Sequence, residues 1–144
     1  MIIRRWVVSK AVFTEILKEK KLKITPQRIA ILEELEKNGH SSVDDIFNRI
    51  KPKVPSVSLA TVYKNILTLQ SVNILKSVKT PTHKQKYEIN IKPHVHLFCK
   101  ICENLEDFAI DTKEFQEYCR KQSSYHCIEE VSVLLTGICK KCAK

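Results

Sequence analysis

The stretch HVHLFCKIC, residues 94–102, sets two histidines one residue apart and then two cysteines two residues apart. In a strand, His94 and His96 project from the same face. Cys99 and Cys102 fall in the turn that follows, and a second CxxC pair, Cys139 and Cys142, lies near the end of the chain. Four thiolates in two such pairs are the donor set of a tetrahedral, all-cysteine Zn2+ site. A closed shell of four sulfurs leaves no open position, so its role is structural. The alternatives for such cysteines are ordinary thiols or a redox pair. With the cysteines claimed, the histidines belong to a different ion or to none. Imidazole with carboxylate suits Fe2+, Mn2+ or Zn2+ rather than a thiophilic metal. Candidate partners are Glu88, Asp107 and the more distant His40.

Around this stretch the chain reads as short strands and one helix. HVHLF and LEDFAI are predicted strands, and IEEVSVLLTGI is a third, with Val131, Val133 and Leu135 alternating. TKEFQEYCRKQ is helical, with Phe115, Tyr118 and Cys119 on one side, which makes Cys119 a core residue. Cys127, beside His126, has no assigned role, a reactive thiol being the functional alternative, and His83 and His126 read as surface residues. So few strands leave an open edge that invites a second chain.

Upstream, the pattern is helical. Residues 10–22 place Val12, Ile16 and Leu17 on one side. KITPQRIAILEELEKNG has Thr25 as N-cap, Pro26 at the first helical position and Gly39 past the end, with Ile29, Leu32 and Leu35 inward. In SSVDDIFNRIKP, Ser42 is the cap and Ile46 and Ile50 face inward. In SLATVYKNILTLQ, Ser58 is the cap and Leu59, Val62, Ile66 and Leu69 form the stripe. NILKSVK and KQKYEINI then make a hairpin, Tyr87, Ile89 and Ile91 alternating with Lys86, Glu88 and Asn90. Lys92-Pro93 is the domain boundary, separating modules 1–91 and 94–144.

Charge divides the chain at the same place. Residues 1–92 hold 18 Lys and Arg against 8 Asp and Glu, whereas residues 93–144 hold 7 against 8. The first module therefore faces a polyanion, unless its basic surface is merely solvated. No run reaches the roughly 18–20 apolar residues of a membrane span. MIIRRWVVSKAVF makes a poor signal peptide, so the expectation is a cytoplasmic protein with reduced cysteines.

LKITPQRIAILEEL, SLATVYKNILTL, HVHLFCKICENLEDF and the final CKKC together resemble the ferric-uptake regulator family, over about Leu22 to Cys142. The resemblance implies an α+β chain: an N-terminal winged helix-turn-helix DNA-binding domain and a small C-terminal α/β dimerisation domain. It implies structural Zn2+ on Cys99, Cys102, Cys139 and Cys142, and a regulatory Fe2+ or Mn2+ on His40, Glu88, His94, His96 and Asp107. A further metal site of many members is expected to be missing, because Pro93, Val95 and Val131 stand at three of its positions and only Glu114 remains. Glu88 in place of a cysteine argues against zinc sensing. Asp107 points to the peroxide-responsive branch, Glu88 points the other way, and the missing site favours peroxide.

One ion bound by all five ligands would fix the angle between the two modules. In a homodimer that angle sets the spacing of two recognition helices on AT-rich operator DNA. Ser58, Thr61, Tyr63 and Lys64 are candidate contacts in the major groove; Tyr63 is otherwise a packing residue. Lys23 is placed for the minor groove, and Gln27, Arg28, Lys84 and Lys86 for phosphates. His40 and His94 are the candidates for oxidation by peroxide at bound Fe2+. The expectation is a repressor rather than an enzyme. The rival readings are an iron-responsive regulator, a non-haem metalloenzyme on the same ligands, and a zinc-ribbon interaction module.

Overall fold

The computed structural model describes residues 9–82, 84–90 and 94–143. The N-terminal extension, His83 and the expected boundary at Lys92-Pro93 lie outside the described residues. The described chain forms two compact units, residues 9–90 and residues 94–143. The architecture is α+β, a winged helix-turn-helix unit followed by a small α/β unit.

The first unit contains α1 (Lys10–Glu19), α2 (Pro26–Asn38), α3 (Val43–Ile50) and α4 (Leu59–Ser71), then the antiparallel hairpin β1 (Leu75–Val78) and β2 (Lys86–Ile89). Three of its helices, α2, α3 and α4, start where side chains satisfy the open N–H groups of the first turn. Thr25 Oγ1 accepts from Arg28 N at 3.3 Å, with Pro26 at the start of α2. Ser58 Oγ accepts from Thr61 N at 3.1 Å. At α3 the cap is reciprocal: Ser42 Oγ accepts from Asp45 N, and the Asp45 carboxylate accepts from Ser42 N and from the Ser42 hydroxyl.

One apolar core spans this unit, with Phe13, Leu17, Ile31, Leu32, Leu35, Ile46, Ile50, Val62, Ile66 and Leu69 all at 1 % exposure or less. Two expected stripes shift. On α1 the inward pair is Phe13 and Leu17, four residues apart, while Val12 is 45 % exposed. On α4 the stripe begins at Val62, and Leu59 is 43 % exposed in the first turn, although Val57 just before the helix is buried in the core. The alternation expected along β2 fails at Glu88, which is buried like its neighbour Tyr87. The reason is electrostatic: Glu88 has cationic or hydrogen-bonding partners on its own face, described below.

In the second unit β3 (His94–Cys99) is the central strand of a three-stranded sheet. It pairs antiparallel with β4 (Leu105–Ala109) and parallel with β5 (Leu134–Gly137). β5 is shorter than the alternation of Val131, Val133 and Leu135 predicts: residues 128–133 run irregularly, although Val133 O accepts from His96 N at 3.0 Å. The helix α5 (Lys113–Gln122) has no buried residue, with Phe115 52 % and Tyr118 63 % exposed. Cys119 is therefore half-buried rather than a core residue. A unit of so few residues cannot cover both its sheet and its helix.

The capping box at α3 yields a test. Ser42→Ala is expected to cost about 1 kcal/mol of stability at neutral pH, read from the urea midpoint. The Ser42 hydroxyl holds the Asp45 carboxyl below its ordinary value of 3.8. Its contribution is therefore complete above that value and is lost as pH falls through the depressed one. The difference between wild type and Ser42→Ala should shrink in acid.

Candidate metal centres and nucleic-acid interface

The parallel register of β3 and β5 sets Cys99 opposite Gly137, which brings the turn after each strand alongside the other. In the first turn Cys99 N donates to Asn104 O and Glu103 N to Cys99 O, with Glu103 at a φ of 58°. In the second, Cys142 N and Ala143 N both donate to Cys139 O. The two turns are stitched by Lys100 N to Gly137 O at 2.9 Å and by Cys139 N to Cys99 Sγ at 3.3 Å. The four sulfurs of Cys99, Cys102, Cys139 and Cys142 lie within 4.8 Å of one another.

The arrangement fits zinc. Zn–S bonds of about 2.3 Å in a tetrahedron put sulfurs about 3.8 Å apart. Cys102 Sγ and Cys139 Sγ are 3.8 Å apart. Backbone N–H groups of Cys102, Cys139 and Ile101 hold the Cys99 thiol down to about 6. The hydrogen bonds to Cys139 and Cys102, with the crowding of sulfurs, push Cys142 up to about 12. A divalent cation at the centre relieves that crowding by neutralising thiolate charge. Structural Zn2+ is the cofactor this donor set takes.

In the same unit, β3 puts His94 and His96 on one face, both buried, with their rings edge to face and 4.6 Å between centroids. Their Nε2 atoms are 3.0 Å apart. β4 pairs antiparallel with β3 and sets Asp107 opposite His96, so its Oδ1 lies 3.6 Å from His94 Nε2 and 3.7 Å from His96 Nε2. Two nitrogens at right angles around an ion with bonds of about 2.1 Å would be about 3.0 Å apart. Nitrogen and carboxylate donors of this kind suit Fe2+ or Mn2+.

In the first unit, the residue after α2 is drawn to the hairpin. Ser41 and Tyr87 exchange backbone hydrogen bonds of 3.2 and 2.9 Å. That bridge delivers His40 to Glu88, with Nε2 2.9 Å from Oε2. The other carboxylate oxygen lies 3.4 Å from Lys76 Nζ, on the residue opposite Glu88 across β1 and β2. Lys76 was not legible as part of this cluster. Its signal is cross-strand register, which follows from the length of the hairpin turn and not from any motif. Arg49, also unforeseen, donates to buried Glu34 at 3.0 Å and to Ser41 Oγ at 3.3 Å, which braces the segment that carries His40.

Of the expected DNA contacts, Lys23, Ser58, Tyr63, Lys64 and Lys84 are exposed, and Gln27, Thr61 and Lys86 are half-buried. Tyr63, 50 % exposed, does not pack in the core. Ser58 is engaged as the cap of α4 and shares a 2.8 Å hydrogen bond with Thr61 Oγ1. Arg28 is tied inward: its Nε donates to Asn65 Oδ1 on α4 and its Nη1 to Lys23 O. It thus braces α4 against the start of α2. Val95 is buried in β3, Glu114 is exposed on α5, and Pro93 lies outside the described residues.

A model of the Ferric uptake regulator family matches residues 19–135. The chain belongs to the ferric uptake regulator family. It is a metal-dependent regulator of that family. It is 35 % identical to the peroxide stress regulator of Campylobacter jejuni, whose crystal structure superposes with a TM-score of 0.73 over 90 % of this chain and 98 % of that one. The ferric uptake regulator of Vibrio cholerae is 25 % identical, with a TM-score of 0.73 over 88 % and 98 % of the two chains. The peroxide-responsive repressor PerR of Staphylococcus epidermidis is 27 % identical over 88 % of this chain and 85 % of its own. No helix among the described residues is long and apolar enough to cross a membrane.

The sulfur cluster makes a prediction. Cys102→Ser is expected to abolish the one tightly held zinc per chain, measured by mass spectrometry of the metal, and to unfold the C-terminal unit, because structural zinc contributes directly to folding. Zinc retention by the wild type should weaken as pH falls, since protons compete for thiols that the ion needs as thiolates. A zinc-free variant that stays folded would remove the four-cysteine assignment.

Proposed function

We propose that this chain is a homodimeric, peroxide-responsive transcriptional repressor that binds AT-rich operator DNA through residues 9–90 when Fe2+ or Mn2+ is bound. The observation that carries the reading is the convergence of His94, His96 and Asp107 on one small volume, matched by the pairing of His40 with Glu88. A single ion taking all five would join the DNA-binding domain, 1–91, to the dimerisation domain, 94–144. It would favour the shape that presents both recognition helices to the half-sites, by its greater affinity for that shape.

The residues of this chain divide the work. His40, Glu88, His94, His96 and Asp107 hold the ion, and Lys76 and Arg49 fix the positions of Glu88 and of the segment carrying His40. Bound Fe2+ would supply the reduction of peroxide, and His40 and His94 are the imidazoles proposed as its targets. Ser58, Thr61, Tyr63 and Lys64 on or before α4 face the major groove. Lys23, Gln27, Lys84 and Lys86 lie where phosphates or the minor groove would pass, and Arg28 supports α4 as well as offering charge. Exposed Phe108, Ile110, Phe115, Tyr118 and Leu135 supply the apolar surface for a second copy. The names of the relatives from S. epidermidis and C. jejuni, and Asp107 among the ligands, support peroxide as the signal.

An iron-responsive regulator is the second reading, favoured by Glu88 and by the likeness to the V. cholerae protein. Operator binding should require Mn2+ or Fe2+ and should fall steeply with salt as phosphate contacts release counterions. Lys64→Ala is expected to weaken it roughly ten-fold, a loss on the scale of one base or phosphate contact. Binding no better than to random duplex under every metal condition would end the repressor reading.

Peroxide separates the two readings. With Fe2+, brief low peroxide should add about 16 Da at His40 or His94, one oxygen atom, and release DNA. With Mn2+ the DNA complex should persist. Asp107→Glu should keep metal-dependent DNA binding and lose the sensitivity to peroxide. An Fe2+ form that stays unmodified and DNA-bound would leave the iron-responsive reading in place.

A further inference from the structure

Outside the metal centres the described chain has two more cysteines, Cys119 and Cys127, both free. Cys119 sits near the end of α5, and Cys127 lies in the irregular segment that follows. Together with Ser123, Tyr125, Ile128 and Glu129 they line one open groove of about 510 Å³. Both are reachable: Cys127 is exposed and Cys119 half-buried. The chain turns back after α5, with Ser123 N donating to Arg120 O and Tyr125 N to Ser123 Oγ. The turn is what brings the two cysteines to one groove.

We infer that Cys119 and Cys127 form a separate thiol site, which hydroperoxides oxidise to a disulfide within one chain without using either metal centre. The Cys127 thiolate attacks the outer oxygen of the hydroperoxide. An S–O bond forms as the O–O bond breaks, and the departing alkoxide takes a proton to become an alcohol. Cys119, as thiolate, then attacks the Cys127 sulfur. The S–S bond forms as the S–O bond breaks, and the hydroxide leaves as water with the proton Cys119 gave up. Two thiols are oxidised by two electrons, and one hydroperoxide is reduced to alcohol and water. The bridge pins the irregular segment before β5 to the end of α5.

The test uses the full-length, zinc-loaded protein with Mn2+, so that oxidation at Fe2+ is silent and the outcome is independent of the regulatory reading above. After brief low hydroperoxide the protein is alkylated and digested with trypsin without reduction. Trypsin cuts after Arg120 and Lys121, so Cys119 and Cys127 fall on separate peptides; the second also carries Cys139, and fragment ions of the joined peptide locate the bridge at Cys127 or Cys139. The expected result is the joined peptide, a loss of about 2 Da per chain for the two hydrogens removed, and unchanged zinc content. Cys127→Ser, at an exposed position, and Cys119→Ala should each abolish the joined peptide while keeping zinc. Separate peptides, a bridge between two chains, or loss of zinc before any change at Cys119 and Cys127 would each overturn the inference.

Discussion

The closure of four sulfurs at the end of β3 and β5 is the constraint on which the C-terminal unit depends. The main apolar cluster of the described chain lies within residues 9–90. Between residues 94 and 143 the buried side chains are few: Val95, Phe98 and Cys99 with the polar His94, His96 and Thr112. That is too little hydrophobic burial to hold a sheet and a helix together unaided. A metal tie between two turns far apart in sequence replaces the missing core, because the binding free energy of structural zinc is available only to the folded chain. The parallel register that sets Cys99 beside Gly137 is the geometry through which the tie acts.

The same strand that ends in Cys99 begins with His94 and His96. Whatever fixes β3 for zinc also fixes the face on which two imidazoles and Asp107 meet. Structural and regulatory chemistry therefore share one element, and the rigidity of the first is the preorganisation of the second. On the N-terminal side the analogous device is the Ser41–Tyr87 bridge, which makes a ladder partner of the residue next to His40. It places a buried carboxylate between an imidazole and an ammonium, and burial of Glu88 is tolerable only with such partners. Each unit thus carries donors on backbone that is hydrogen-bonded independently of any ion.

Much of this was legible in the linear pattern. Caps at Thr25, Ser42 and Ser58 mark helix starts because an oxygen two or three positions before an open N–H satisfies it locally. The two CxxC pairs identify zinc because thiolate chemistry and turn spacing are both local. Errors arose where position depended on neighbours distant in sequence. Val12 and Leu59 fit a helical period but lie off the faces that carry Phe13 and Leu17 on α1 and Val62, Ile66 and Leu69 on α4. Cys119 fits an apolar helix face, yet the unit has no layer to cover that face. The alternation along β2 does not by itself show that Glu88 is buried, because pattern cannot see the side chains that hold it inside.

The sequence by itself determined the helix caps, the zinc donors, the histidine pair and the charge asymmetry between the halves, since each rests on residue type and short spacing. Only the tertiary structure decided that Asp107 faces the histidines, that Lys76 shares Glu88 with His40, that Arg28 braces α4, and that Cys119 and Cys127 share a groove. Strand register and chain reversal make those contacts. Both are set by the packing of segments many residues apart, which no local spacing encodes.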